Sequence, residues 1–141
     1  MKARYFKHLL RGGDPDAERV YLWHIAVRSG ARMEQGLTTD RWKRSLDDYL
    51  SSAKALFCSM GEKGFDPKCA VPIDPDGELL DGSHRVACAL ALKIEQIPIV
   101  RKPQRAWASA WDEASFIAAD ISAEDLGRLR QDWRILNGPR I

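Results

Sequence analysis

The segment ELLDGSHRVACALALKIEQIPIV, residues 78–100, constrains the fold more than any other part of the chain. Glu78 to Leu80 read as a short strand that runs into Asp81–Gly82, a pair that breaks regular structure. Ser83 to Leu92 follow, rich in alanine and leucine, and predict a helix. Gln96–Val100 then reads as another strand. A strand that enters a helix and leaves as a strand needs a crossover, so the chain is expected to be α/β, more narrowly α+β.

The flanking sequence fills in the rest. Cys69–Ile73 reads as a short buried strand, and DPDG at Asp74–Gly77 has strong turn chemistry, so a hairpin with Glu78–Leu80 is expected. Upstream, Trp42, Leu46, Tyr49, Leu50, Ala53, Leu56, Phe57 and Met60 form a helical stripe. This predicts a helix over Asp40–Gly61, capped by Thr38, Thr39 or Asp40 and stopping at Gly61 or Gly64. The stretch AERVYLWHIAVRSG fits a strand or a short helix, and periodicity does not decide. RGGDPD, Arg11–Asp16, separates it from the first segment. Toward the C-terminus, Trp107, Trp111, Phe116 and Ile117 mark one helix and Leu126, Leu129, Trp133 and Leu136 another. Ser122 with Asp125 resembles a capping box between them. A plain helical hairpin is the better reading of this pair than a helix-turn-helix, whose turn lacks its glycine.

Length, charge and cysteine usage exclude several classes. A chain of 141 residues predicts one domain, 1–141, with a core over about 20–102 and a helical extension over about 104–137. Twenty-two basic residues against 20 acidic leave a net charge of +2, no footprint for a nucleic acid or an anionic membrane. Cys58, Cys69 and Cys88 form no CxxC pair, and their spacing to His8, His24 and His84 fits no zinc finger. The opening residues have no apolar signal core, and no run approaches the ~20 apolar residues of a membrane span. A cytoplasmic setting with no membrane partner is the expectation. The oligomeric state has no signature.

The strand-to-helix corner carries the chemistry. Free N–H groups and the dipole at the helix start favour an anion. Gly82 lets a ligand approach the backbone, Arg85 matches a phosphate through its forked guanidinium, His84 can donate or transfer a proton, and Ser83 adds a hydroxyl. Plainer roles stand beside these. Asp81 or Ser83 can cap the helix, His84 can bond a carbonyl, and Arg85 can pair with Glu78 or Glu95.

Leu56–Val100 resembles the ParB/sulfiredoxin superfamily, including its ParB-like nuclease and free-serine-kinase-type domains. Ser59, Met60, Gly64, Phe65 and Pro67 match the first block. Gly82, His84, Arg85, Ala87, Ala89 and Leu90 match the corner and its helix, and Ile97, Pro98 and Ile99 the closing strand. The resemblance implies a small mixed sheet packed by the Asp40–Gly61 and Ser83–Leu92 helices. It also implies that Gly82, Ser83, His84 and Arg85 bind nucleotide phosphates. Sulfiredoxins carry a cysteine where this chain has Ser83, which argues against sulfinic acid reduction. Partition proteins carry Gly-Glu-Arg-Arg and a separate DNA-binding domain. Asp81-Gly82-Ser83-His84-Arg85 is nearest to the free-serine-kinase corner.

The function this implies is an ATP- or other nucleotide-dependent phosphotransferase acting on a small hydroxyl-bearing acceptor. Asp81 would bind Mg²⁺ or draw a proton from the acceptor, and His84 would join the chemistry. Glu34 is the candidate for a second catalytic carboxylate. Arg28 and Lys43 are further cations that serve equally well as surface charges. The alternative is a module without turnover, either nucleotide-sensing or DNA-associated, with nucleic acid the less favoured partner.

Overall fold

A computed structural model of the chain describes residues 1–29, 43, 45–106 and 113–137. The chain divides into two compact units, Met1–Trp107 and Ala108–Ile141.

The first unit begins with α1 (Lys2–Arg11), which lies before the expected core yet supplies two of its fully enclosed residues. Tyr5 and Phe6 are fully buried, the Phe6 side chain worth about 1.5–3 kcal/mol of hydrophobic stabilisation. Arg4 is buried too, and its fork meets Asp14 twice, Nε to Oδ2 at 2.6 Å and Nη2 to Oδ1 at 2.9 Å. That bidentate pair ties the RGGDPD breaker back onto α1. The stretch that periodicity left undecided is a helix, α2 (Ala17–Ser29), with Ala17, Val20, Tyr21, His24 and Ile25 buried.

The next helix, α3 (Leu46–Lys63), starts later than the expected Asp40. Ser45 and Asp48 form a reciprocal capping box there, which satisfies two backbone donors and fixes the start. Lys43 is not helical, and the expected caps Thr38, Thr39 and Asp40 lie outside the described residues. The helix stops before Gly64, whose N–H reaches Met60 O at 3.0 Å.

After a 3₁₀ turn at Pro67–Cys69 comes β1 (Val71–Ile73), shorter than the expected Cys69–Ile73 strand. The hairpin is reduced to its root: an isolated antiparallel bridge joins Ile73 to Leu79, and Glu78–Leu80 form no strand. Asp74 explains why, because its side chain takes the N–H groups of Asp76 and Glu78, each at 2.9 Å, and curls the turn around itself. Then come α4 (Ser83–Leu92) and β2 (Ile99–Arg101), the latter displaced toward the C-terminus from Gln96–Val100. β1 and β2 pair in parallel, Val71 opposite Ile99, so α4 is the crossover of a strand–helix–strand unit. Ala87, Cys88, Ala89 and Ala91 are buried on α4, and α1 and α3 both pack against it. Small side chains let those helices approach closely. Mixed helix and strand is therefore the observed class.

The second unit contains α5 (Glu113–Ala118) and α6 (Ala123–Asn137). Asp120, at φ 58°, closes α5: its N–H reaches Ile117 O at 3.0 Å and that of Ile121 reaches Phe116 O at 3.2 Å. Ser122 Oγ accepts the N–H of Asp125 at 3.1 Å and caps α6, as its sequence predicts. Trp107 and Trp111, expected on the first of these helices, lie outside the described residues, as do the side chains of Trp133 and Leu136. Among the described residues no helix is long and apolar enough to cross a membrane.

Candidate functional site

The corner between β1 and α4 is built around Gly82. Its φ of 83° and ψ of 15° are left-handed, and it is the N-cap of α4 with no side chain to offer the helix. Neither Asp81 nor Ser83 caps the helix, contrary to the plainer expectation. The first intrahelical bond, Val86 N to Gly82 O at 3.0 Å, lies beyond Ser83, His84 and Arg85. The opening turn of α4 therefore differs from those of α3 and α6, which carry side-chain caps.

Arg85 folds back over this glycine. A Cβ built on Gly82 would stand 2.9 Å from Arg85 Nη2, so a larger residue here would make the end of the Arg85 side chain shift. Nη1 donates to the carbonyls of Cys69 and Ala70, the latter at 3.3 Å, and latches the start of α4 to the segment leading into β1. Its carboxylate partner is Asp81, with Nη2 3.5 Å from Oδ2, in place of the expected Glu78 or Glu95. Asp81 is 80% exposed, whereas Arg85 is 23% exposed. The Nη2 edge is thus the part of the guanidinium able to meet an anion, with only a long, solvated ion pair to exchange.

Ser83 and His84 are each held by a distant helix. Lys2 Nζ, at the start of α1, lies 2.6 Å from Ser83 Oγ. His84 Nε2 lies 2.9 Å from the hydroxyl of Tyr21 on α2, which also donates to Tyr49 O of α3 at 3.3 Å. A phenol has one proton to give. With that proton on the Tyr49 carbonyl, the Tyr21 oxygen accepts from His84, and Nε2 carries a hydrogen. Burial, with the Tyr5 and Tyr49 phenols nearby, pushes the Tyr21 hydroxyl well above its ordinary range, so it stays neutral. Tyr21 stacks on Tyr5 at 4.6 Å and meets the His84 ring edge-on at 5.8 Å. The imidazole is therefore locked by packing as well as by hydrogen bonding.

Of the residues expected in a site, Asp81, Gly82, Ser83, His84 and Arg85 converge at one corner. Glu34 lies outside the described residues, as does the side chain of Arg28. Lys43 sits with its ammonium 5.0 Å from the Tyr49 ring centroid, and that ring is 6.4 Å from His84. Lys2, Tyr21 and Tyr49 join the corner without any signal in local spacing. Lys2 and Ser83 are 81 positions apart, and Tyr21 and His84 are 63 apart. Among the described residues, no three His, Cys, Asp or Glu side chains gather in a way that could hold a metal ion. Asp81 would thus offer Mg²⁺ a single protein carboxylate. This fits a metal held mainly by phosphate and water.

No family model, curated protein or solved structure matches this chain.

Proposed function

We propose that the Gly82–Arg85 corner binds the phosphates of a nucleotide and that the protein is a ParB/sulfiredoxin-like phosphotransferase acting on a small hydroxyl-bearing acceptor. One observation carries the reading. α4 opens on a left-handed glycine with no side-chain cap, Lys2 reaches the Ser83 hydroxyl beside it, and Arg85 lies over it. Two basic side chains from two helices beside one set of helix-start amides suit a polyanion better than a carboxylate. The parallel strand–helix–strand unit is compatible with that fold family.

In this reading the amides of α4, Lys2 and the Nη2 edge of Arg85 hold phosphate oxygens. His84, with its Nε2 proton taken by Tyr21, donates to the same charge only through Nδ1 of its imidazolium form. Bound Mg²⁺ would supply charge neutralisation on the phosphates, with Asp81 as its protein ligand. Catalysis would consist mainly of positioning and charge stabilisation.

A thermal-melt screen over nucleoside mono-, di- and triphosphates, with and without Mg²⁺, tests the binding. A specific nucleotide raises stability by about 2.7 kcal/mol at a hundredfold excess over Kd. A flat response to every nucleotide contradicts the proposal. Binding without transfer to any hydroxyl-bearing acceptor would make the protein a nucleotide-sensing module.

A further inference from the structure

We propose that Ser83 is a nucleophile activated by Lys2, and that it takes a phosphoryl group onto its own oxygen to form a phosphoserine. For the natural donor, a nucleoside triphosphate, this rests on the nucleotide reading above. For the nucleophile itself it rests on the geometry alone.

The pair is short and specific. Lys2 Nζ and Ser83 Oγ are 2.6 Å apart and partly buried, on the first residues of α1 and α4. A serine hydroxyl attacks only when a neighbour removes its proton, and a lysine amine at hydrogen-bond distance is one of the groups that can. In the ammonium form Lys2 donates to Ser83. In the amine form the same contact reverses, with the hydroxyl donating to nitrogen. Ser83 is also the first residue of the uncapped turn, so a phosphoryl group on the α4 amides would lie beside its oxygen.

The step balances without any redox partner. The Ser83 Oγ–P bond forms as the bond from the γ-phosphorus to the β–γ bridging oxygen breaks. The nucleoside diphosphate leaves with that bond's electron pair, and the hydroxyl proton passes to the Lys2 amine. Attack by an acceptor hydroxyl, whose proton passes to solvent, on the phosphoserine then breaks the Oγ–P bond, and Lys2 returns the proton to Ser83. The permanent charge of Arg85, joined by that of Lys2 once it has taken the proton, selects a phosphoryl electrophile over an uncharged acyl one.

The test is intact-protein mass and peptide mapping after incubating the full chain with Mg²⁺ and either ATP or acetyl phosphate. Acetyl phosphate is a phosphoryl donor that needs no nucleotide site. A single phosphoryl adduct on Ser83, absent from Ser83→Ala and forming faster as pH rises, is the expected result. Lys2→Arg separates the roles of Lys2, because arginine keeps the hydrogen bond and the charge but accepts no proton. Labelling should fall by at least about tenfold in that variant while its melting temperature follows the wild type. Labelling by acetyl phosphate without nucleotide binding would sustain this inference and sink the nucleotide reading. No Ser83 adduct from either donor overturns it, whatever nucleotides do to the melting temperature. An adduct that forms equally fast in Lys2→Arg also overturns it, by removing Lys2 from the chemistry.

Discussion

Gly82 serves two requirements at once, a backbone at φ 83° and an open surface for the Arg85 guanidinium. Gly77, at φ 94°, meets only the first, since a Cβ there would touch nothing within 4 Å. Both Gly→Ala variants should lose about 1–2 kcal/mol to left-handed strain. Gly82→Ala should lose more, because it also pushes Arg85 off the Cys69 and Ala70 carbonyls. Paired denaturant unfolding of the two variants measures the difference, and equal losses would remove Arg85 from the account. The sequence made Gly82 conspicuous through the Asp-Gly corner. It did not show that the guanidinium lies over it, because Arg85 is aimed by carbonyls about 15 residues away in the chain.

At the scale of elements, the apolar stripe from Leu46 to Met60 was enough to place α3, but its start was not. Three consecutive cap-forming residues at Thr38–Asp40 compete on paper with Ser45, and only Ser45 has an acidic residue three positions later that bonds back to it. Ser45→Ala should therefore cost about 1 kcal/mol, read as a fall in the denaturation midpoint at unchanged slope. A neutral result would place the functional start of the helix elsewhere. α2 stayed undecided in the sequence for a different reason. Aliphatic and aromatic residues are scattered around Ala17–Ser29, so neither the helical nor the strand period stands out, and packing against α1 and α3 settles it. The expected hairpin survives as a short antiparallel pairing, with Leu80 N–H on Pro72 O at 3.0 Å and Asp74 N–H on Glu78 O at 2.9 Å, while the Asp74 side chain takes the Glu78 N–H that would have extended it.

Across the first unit, Asp74 joins three segments: the end of β1, the turn at 75–78 and the chain at Ala106, whose N–H lies 3.1 Å from Oδ2. The Ala106 N–H holds its carboxyl below the ordinary range, helped by the Glu78, Asp76 and Gly77 amides and opposed by burial. A depressed native value means that the bound carboxylate stabilises the fold above the unfolded value, about 4, and that this contribution disappears as pH falls through the native one. Asp74→Asn does not titrate and turns an amide donor toward one of those N–H groups. Its melting temperature should lie below wild type at pH 7, and the gap should narrow below about pH 4. A gap independent of pH would show that the carboxylate charge is not what binds the segments.

The same long-range packing limits how much of the site can be read from sequence. Asp81 to Arg85 are contiguous, so their carboxylate, hydroxyl, imidazole and guanidinium stand together in the sequence. Lys2 and Tyr21 reach them only because α1 and α2 fold across the chain, and no local period encodes that meeting. We propose that this assembled corner holds nucleotide phosphates. Titrating Mg²⁺–ATP into the isotopically labelled protein while following backbone amide resonances tests it most directly. Saturable shifts largest at Gly82–Val86, with Lys2 moving in step, are the expected result. Unmoved corner amides at saturating nucleotide, or shifts centred on another part of the chain, would contradict it.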